Sequence, residues 1–238
     1  LAFPLALAAA ASWAQTPGER MAEAMAGLGL EPKATIQTTA RIETRRGVET
    51  AFASLAVDNR PAQGSFRLEL NVHRGGKHVL RTVGDGAWLW HYDPVANTYS
   101  SVAYGSAEGG LATDWRKRVF SRLRLLLEGP ALFTARLAAD AFGQRSDSGW
   151  TPWFPTATVS TDTRGVLAEA RSPFEARTIY QLEDGRLTGV LHEGWPVEGG
   201  YERYAASVFP GQWPPDADYS FKPPRGARAV SAPDRQGR

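Results

Sequence analysis

The sequence contains no cysteine, which excludes disulfides, thiol nucleophiles and Cys-ligated zinc or iron–sulfur centres. Histidine is scarce. His73, His78, His91 and His192 are scattered along the chain with no His-x-x-x-His spacing and no Glu between them. His73 and His78 flank the turn at Gly75-Gly76, but two imidazoles without a third ligand make a poor metal site. No Gly-x-Ser-x-Gly elbow is present. Gly84-x-Gly86 sits in a hairpin pattern with no helix behind it, which argues against a phosphate-cradling loop. No catalytic residue, metal or cofactor is therefore expected. The formal net charge of +2 is too small to imply nucleic-acid binding by itself.

What the chain does have is enough apolar residue to build a core. Of its 238 residues, 42% are hydrophobic and 22% charged, a composition that folds. Residues 1–14 form a separate object. Leu1 to Ala11 carry no charge, and Ser12-Trp13-Ala14 places small residues at −3 and −1 of a cut before Gln15. That is the apolar region and cleavage site of a secretory signal peptide, lacking its initiator Met and basic start. The run is too short to span a bilayer, which takes about 20 residues. With no cysteine at the cut, N-terminal lipidation is not expected. The expectation is an exported, soluble, periplasmic protein with one domain over 15–230 and a polar tail over 231–238.

Glu19 to Leu30 reads as a short helix, with Met21, Ala24, Met25 and Leu28 sharing a face and Gly29 and Pro32 ending it. The period then changes from 3.6 to 2. Ile36, Thr38, Ala40 and Ile42 alternate with more polar neighbours, as do Ala51, Ala53, Leu55 and Val57. Phe66, Leu68, Leu70 and Val72 oppose Arg67, Glu69, Asn71 and His73. Turn signals bound each run at Arg46-Gly47, Gly75-Gly76, Gly84-Asp85-Gly86 and Asp93-Pro94 with Asn97. From Asp114 to Phe142 the pattern is helical, interrupted at Gly129-Pro130. Leu132, Phe133 and Leu137 suggest a second helix. Strands resume after Trp153-Phe154-Pro155, over 166–171, 177–182, 187–193 and 201–209.

The order is thus a helix, about five strands, a helical insert and about five more strands. A long antiparallel sheet of that size curls, and the helices are the candidates to fill its concave face. The fold class expected is mainly β with α: one strongly curved antiparallel sheet, a half-open barrel wrapped around or capped by helices.

Two stretches carry the most specific signals. In residues 83–94, Val-Gly-Asp-Gly-Ala-Trp-Leu-Trp-His-Tyr-Asp-Pro, the rings of Trp88, Trp90 and Tyr92 fall on one strand face. They would serve equally as packed core or as the lining of a cavity. The segment resembles the hallmark hairpin of the outer-membrane lipoprotein carrier (LolA-like) family. Asp218-Tyr-Ser-Phe-Lys-Pro-Pro-Arg-Gly226 is similar to that family's closing (F/Y)-x-F-x-P-P-x-G segment. Arg60-Pro61 followed by Phe66-Arg67-Leu68 resembles its Arg-Pro turn and next strand, although four residues separate them where about two are usual. The stretch 103–155 is also longer and more basic than in a standard carrier.

The resemblance implies a sheet enclosing a hydrophobic cavity that carries lipoprotein acyl chains, or lipid, toward the outer membrane. Phe66, Leu68, Trp88, Trp90 and Tyr92 would line it. Arg60, with five guanidinium donors, would hold the helical lid shut, or be a solvated turn residue. Arg116, Lys117, Arg118, Arg122 and Arg124 would touch membrane or a partner, or form a solvated helix face. The implied partners are an inner-membrane transporter complex and an outer-membrane acceptor, met by a monomer. Acyl chains cost roughly 0.8 kcal/mol per CH₂ in water, so an enclosed hollow suits them better than a shallow groove. An envelope-stress sensor on the same fold, a hydrolase with an unrecognised site and a purely structural domain with a filled interior stay open.

Overall fold

A computed structural model describes residues 15–60, 65–103, 119, 127–143, 150–154, 156–171, 175–195, 200–212, 214 and 217–231. The first helix, α1 (Pro17–Leu30), begins before the apolar stripe suggests. Thr16 caps it: its hydroxyl accepts from the Glu19 N–H at 3.2 Å, and Glu19 accepts from the Thr16 N–H at 2.7 Å. This reciprocal pair satisfies two of the N–H groups that a helix start leaves unpaired.

Six strands follow: β1 (Lys33–Thr44), β2 (Gly47–Arg60), β3 (Ser65–Arg74), β4 (Lys77–Gly84), β5 (Trp88–Asp93) and β6 (Thr98–Ala103). The second helix, α2 (Gly129–Phe142), carries Pro130 in its first turn, where a missing N–H costs nothing. The Gly129-Pro130 pair therefore opens a helix as well as breaking a preceding pattern. Then come β7 (Thr158–Asp162), β8 (Gly165–Ala170), β9 (Glu175–Glu183), β10 (Arg186–Trp195), β11 (Tyr201–Pro210) and the two-residue β12 (Arg228–Ala229).

All twelve strands join one sheet in the order β12-β6-β5-β4-β3-β2-β1-β11-β10-β9-β8-β7. Every pairing is antiparallel except β12 on β6. The first half of the chain runs outward from β1 in one direction, and β11 to β7 run outward in the other. β7 and β12 are the two ends, so the sheet is open. The turns fall where the sequence signals them. Gly75 and Gly76 both have positive φ between β3 and β4. Asp85 accepts from the Ala87 and Trp88 N–H groups at 2.9 and 2.8 Å to close the β4–β5 turn.

Both helices lie on one face. α1 touches β7, β8 and β10, α2 touches β1, β2, β3 and β11, and the helices touch each other. A sheet that reaches this helix pair from β3 round to β7 must curve about it. The helices approach closely at Gly29, where an added Cβ would stand 2.3 Å from the Ala141 carbonyl oxygen. The concave core joins Met21, Met25 and Leu28 of α1 with Phe133, Leu137 and Phe142 of α2. The architecture is the expected one: mainly β, a single open sheet, antiparallel but for β12, with α1 and α2 among the described residues packed on it. No helix among the described residues is long and apolar enough to cross a membrane.

Candidate functional site

Strand alternation divides the sheet into a concave face under the helices and an outer face. On the concave face, Phe66, Leu68, Leu70 and Val72 of β3 stand beside Val57, Leu55 and Ala53 of β2. Phe66 and Leu68 are fully buried, and the Phe66 ring lies 6.3 Å from that of Phe142 of α2. These two lie on the concave face.

Trp88, Trp90 and Tyr92 do not. Leu89 is the β5 residue in the concave core, so the period of two sends the three rings to the outer face. There Phe221 stacks on Trp90 at 5.3 Å and also meets Tyr92 at 6.1 Å and Tyr99 at 5.8 Å. Trp88, at the hairpin tip, is 45% exposed. Asp85 accepts from the Trp90 indole at 2.9 Å and so fixes that ring. The expectation that these aromatics line the hollow is therefore corrected. They bind the chain's own C-terminal segment, which crosses the outer face. Arg81, which also pairs with Glu69 at 2.9 Å, donates to the Asp218 carbonyl at 3.2 Å, and Glu69 accepts from the Asp218 N–H at 2.8 Å. The Arg228 N–H donates to Asn97 and that of Val230 to Tyr99 along β6. The two sequence motifs, well over a hundred residues apart in the chain, are the halves of one clasp.

Arg60 ends β2, and its side chain lies outside the described residues, as do Arg116, Lys117, Arg118, Arg122 and Arg124. The neighbouring Asn59 has the geometry foreseen for Arg60. Its buried amide nitrogen donates to the Gly29 carbonyl at 2.9 Å and the Glu31 carbonyl at 3.1 Å. It thereby ties the C-terminal end of α1, which leaves carbonyls unpaired, to the sheet. In the sequence the only signal is an Asn beside the Arg-Pro turn, and one Asn in a strand is too common to single out.

α2 covers the sheet with small side chains. Ala131, Ala135, Ala138 and Ala141 are buried, and Thr134 Oγ1 lies 2.7 Å from Thr38 Oγ1 of β1. Thr134 also donates to the Pro130 carbonyl at 2.6 Å. A hydroxyl has one proton, so Thr38 supplies the proton of the Thr–Thr bond. At the start of α2 a solvent-open cavity of about 270 Å³ lies between the helix and β3–β5. Val72, Val79, Leu80, Leu127 and Ala131 give it an apolar wall, and Arg74, His91, Asp93 and Glu128 a polar rim. Thr82 and His91 pair at 3.1 Å on this side of the sheet. Burial lowers the His91 pKa below its ordinary value, with Asp93 opposing weakly.

A second polar set lies under the far side of α2. His192 Nδ1 pairs with Thr178 at 2.8 Å. Burial, with a smaller contribution from Arg136, drops its pKa to about 4. Residues 150–154 cross this region. Trp153 packs edge-on against Phe133 at 4.8 Å and lies beneath the Arg136 guanidinium at 4.9 Å. Its carbonyl accepts from Arg136 at 2.7 Å and its indole donates to Asp140. The outer face carries two larger grooves of about 610 and 590 Å³ that share Phe52 and His73. The His73 and His78 rings stack there at 4.9 Å.

No family model and no curated protein match the chain. Solved structures similar to it include an uncharacterized conserved protein from Thermus thermophilus, 10% identical, covering 90% of this chain and 98% of that one with a TM-score of 0.42. A LolA superfamily protein from Nitrosomonas europaea is 10% identical over 84% of this chain and 96% of its own, TM-score 0.38. A DUF1329 family protein from Desulfovibrio piger is 10% identical over 87% and 98%, TM-score 0.41.

Proposed function

We propose that this protein is a carrier, working in the periplasm, that holds the acyl chains of a lipid or lipoprotein on the concave face of its sheet. The observation that carries the reading is the fit of α2: an alanine-rich helix laid over an apolar face, with a cavity at its first turn. At about 270 Å³ that cavity is slightly below the roughly 300–1,000 Å³ of small-molecule pockets. It admits the end of a chain, and a whole chain enters by displacing α2.

The energies permit that exchange. Burying a palmitoyl chain returns on the order of 12 kcal/mol at ~0.8 kcal/mol per CH₂. Lifting α2 exposes Phe133, Leu137 and Phe142, at about 1.5–3 kcal/mol each, plus its alanines. The gain and the cost are of one size, so occupancy can change without unfolding the sheet. Such a carrier unloads only to an acceptor that binds the cargo more tightly, which suits a transporter complex on one membrane and a receptor on the other.

Native mass spectrometry of the protein gently purified from periplasm tests the reading. The expected result is a population heavier than the polypeptide by the mass of a lipid or acylated protein, released by detergent. Bare polypeptide in repeated preparations, with no uptake of added monoacylglycerol, contradicts it.

A further inference from the structure

Tyr180 stands at the middle of β9, with Val166 on one side and Val190 on the other. It is fully buried, yet among the described residues its hydroxyl has no hydrogen-bond partner. The indole nitrogen of Trp150 is likewise buried and unpaired. The two rings meet edge-on with centroids 5.2 Å apart. A buried polar group without a partner is costly and calls for an explanation. The neighbours of this pair are satisfied: Trp153 donates to Asp140, Arg136 to Trp153, and His192 pairs with Thr178. Two hydrogen-bond donors are thus left over at one place on the concave face.

The geometry points to a subsite in which the Tyr180 hydroxyl and the Trp150 indole N–H donate to a neutral oxygen of the cargo, the ester or amide carbonyl at the head of an acyl chain. This inference rests on the acyl-carrier reading and names the part of the ligand that is read by hydrogen bonds. Both orphaned groups can donate, and an indole nitrogen can only donate, so the complementary ligand atom is an acceptor. The surroundings favour a neutral one. The Asp140 carboxylate acts on Tyr180 and opposes a second negative charge. Arg136 is already committed to the Trp153 carbonyl and ring. His192, the other basic group close by, is kept uncharged by burial. Access follows from how the cover is fastened. Trp150 and Trp153 are half-buried rather than sealed in, and Arg136 and Asp140 of α2 hold Trp153. A shift of α2 that admits a chain also loosens the cover over Tyr180.

The test compares a palmitoyl glycerol ester with the matching hexadecyl glycerol ether, which has the chain but no carbonyl, by displacement of a fluorescent fatty probe from the full chain. Wild type is expected to prefer the ester by about fivefold, the worth of about one net hydrogen bond. Tyr180→Phe is expected to bring the two ligands to near parity while leaving ether affinity unchanged, and to leave the empty protein at least as heat-stable. Trp150→Phe is expected to reduce the preference in the same sense. Equal affinity of wild type for ester and ether overturns the subsite and leaves the carrier reading standing. So does an ester preference that survives Tyr180→Phe, or an equal loss for both ligands. Failure of wild type to bind either ligand overturns both.

Discussion

Because the chain has no cysteine, a pair of cysteines placed at Thr38 and Thr134 gives a single, unambiguous lock between α2 and the sheet. The two hydroxyl oxygens are 2.7 Å apart and buried, near the S–S bond length of about 2.05 Å once the longer C–S bonds are allowed for. The bridge closes a loop of roughly 100 residues, for which chain entropy gives about 4.7 kcal/mol of stabilisation. The Thr–Thr hydrogen bond is lost in the oxidised and reduced forms alike and drops out of their comparison. For a domain of this size each kcal/mol moves Tm by about 2–4 °C, so oxidation is expected to raise Tm by roughly 10–20 °C over the reduced form. Ligand binding is expected to move the other way. With α2 fastened, the cavity cannot grow, and affinity for palmitoyl glycerol ester is expected to drop at least tenfold and to return on reduction. Displacement titrations of one preparation, oxidised and reduced, check this. A locked protein that is stabilised as calculated yet binds the ester as tightly as the reduced form refutes the displacement of α2.

Further outcomes follow from other contacts. Asn59→Leu removes both donors to the end of α1 and is expected to cost about 2–3 kcal/mol. Urea melts would show it, with amide exchange in α1 rising ahead of exchange in β1. Phe221→Ala empties the socket formed by Trp90, Tyr92 and Tyr99, at about 2 kcal/mol for a half-buried ring. Limited proteolysis is expected to cut first within 217–231, and acyl affinity is expected to stay at the wild-type value because the clasp is on the outer face. Stability is expected to fall on acidification from about pH 6.5 to pH 4. His192 stays neutral in the fold down to about pH 4, whereas in the unfolded chain it takes up a proton below about 6.5. The unfolded state therefore binds more protons across that window, which removes up to about 3 kcal/mol. His78 and His91, both lowered mainly by burial, act in the same direction. His192→Gln is expected to flatten Tm against pH there, and an unchanged slope would contradict the burial argument.

Strand periodicity and turn chemistry locate most of the elements, but β7 and the two-residue β12 are not among the runs they mark. Phe66, Leu68, Leu70 and Val72 face the core as their spacing implies, and Gly75-Gly76 and Asp85-Gly86 turn the chain. α1 starts earlier than its apolar stripe implies because the Thr16–Glu19 capping pair, not the stripe, sets its first residue. β5 is legible as a strand but not in its orientation. Both of its faces carry apolar side chains, and the choice is made by Phe221, far off in sequence, covering one of them. A motif of three alternating aromatics says that something packs on them, and only the tertiary structure says what. The polar groups of the concave face, Thr38 with Thr134, Thr178 with His192 and the unpaired Tyr180, come from separate elements. No local pattern joins them.

The most direct measurement is hydrogen exchange across the whole chain with and without a saturating palmitoyl glycerol ester. Faster exchange across α2 on binding, with β1 and β2 unchanged, is the result expected if the cargo takes the place of α2 on the sheet. Protection confined to the outer face around Phe52 and His73, with α2 unaffected, would put the ligand on the wrong side and contradict the account.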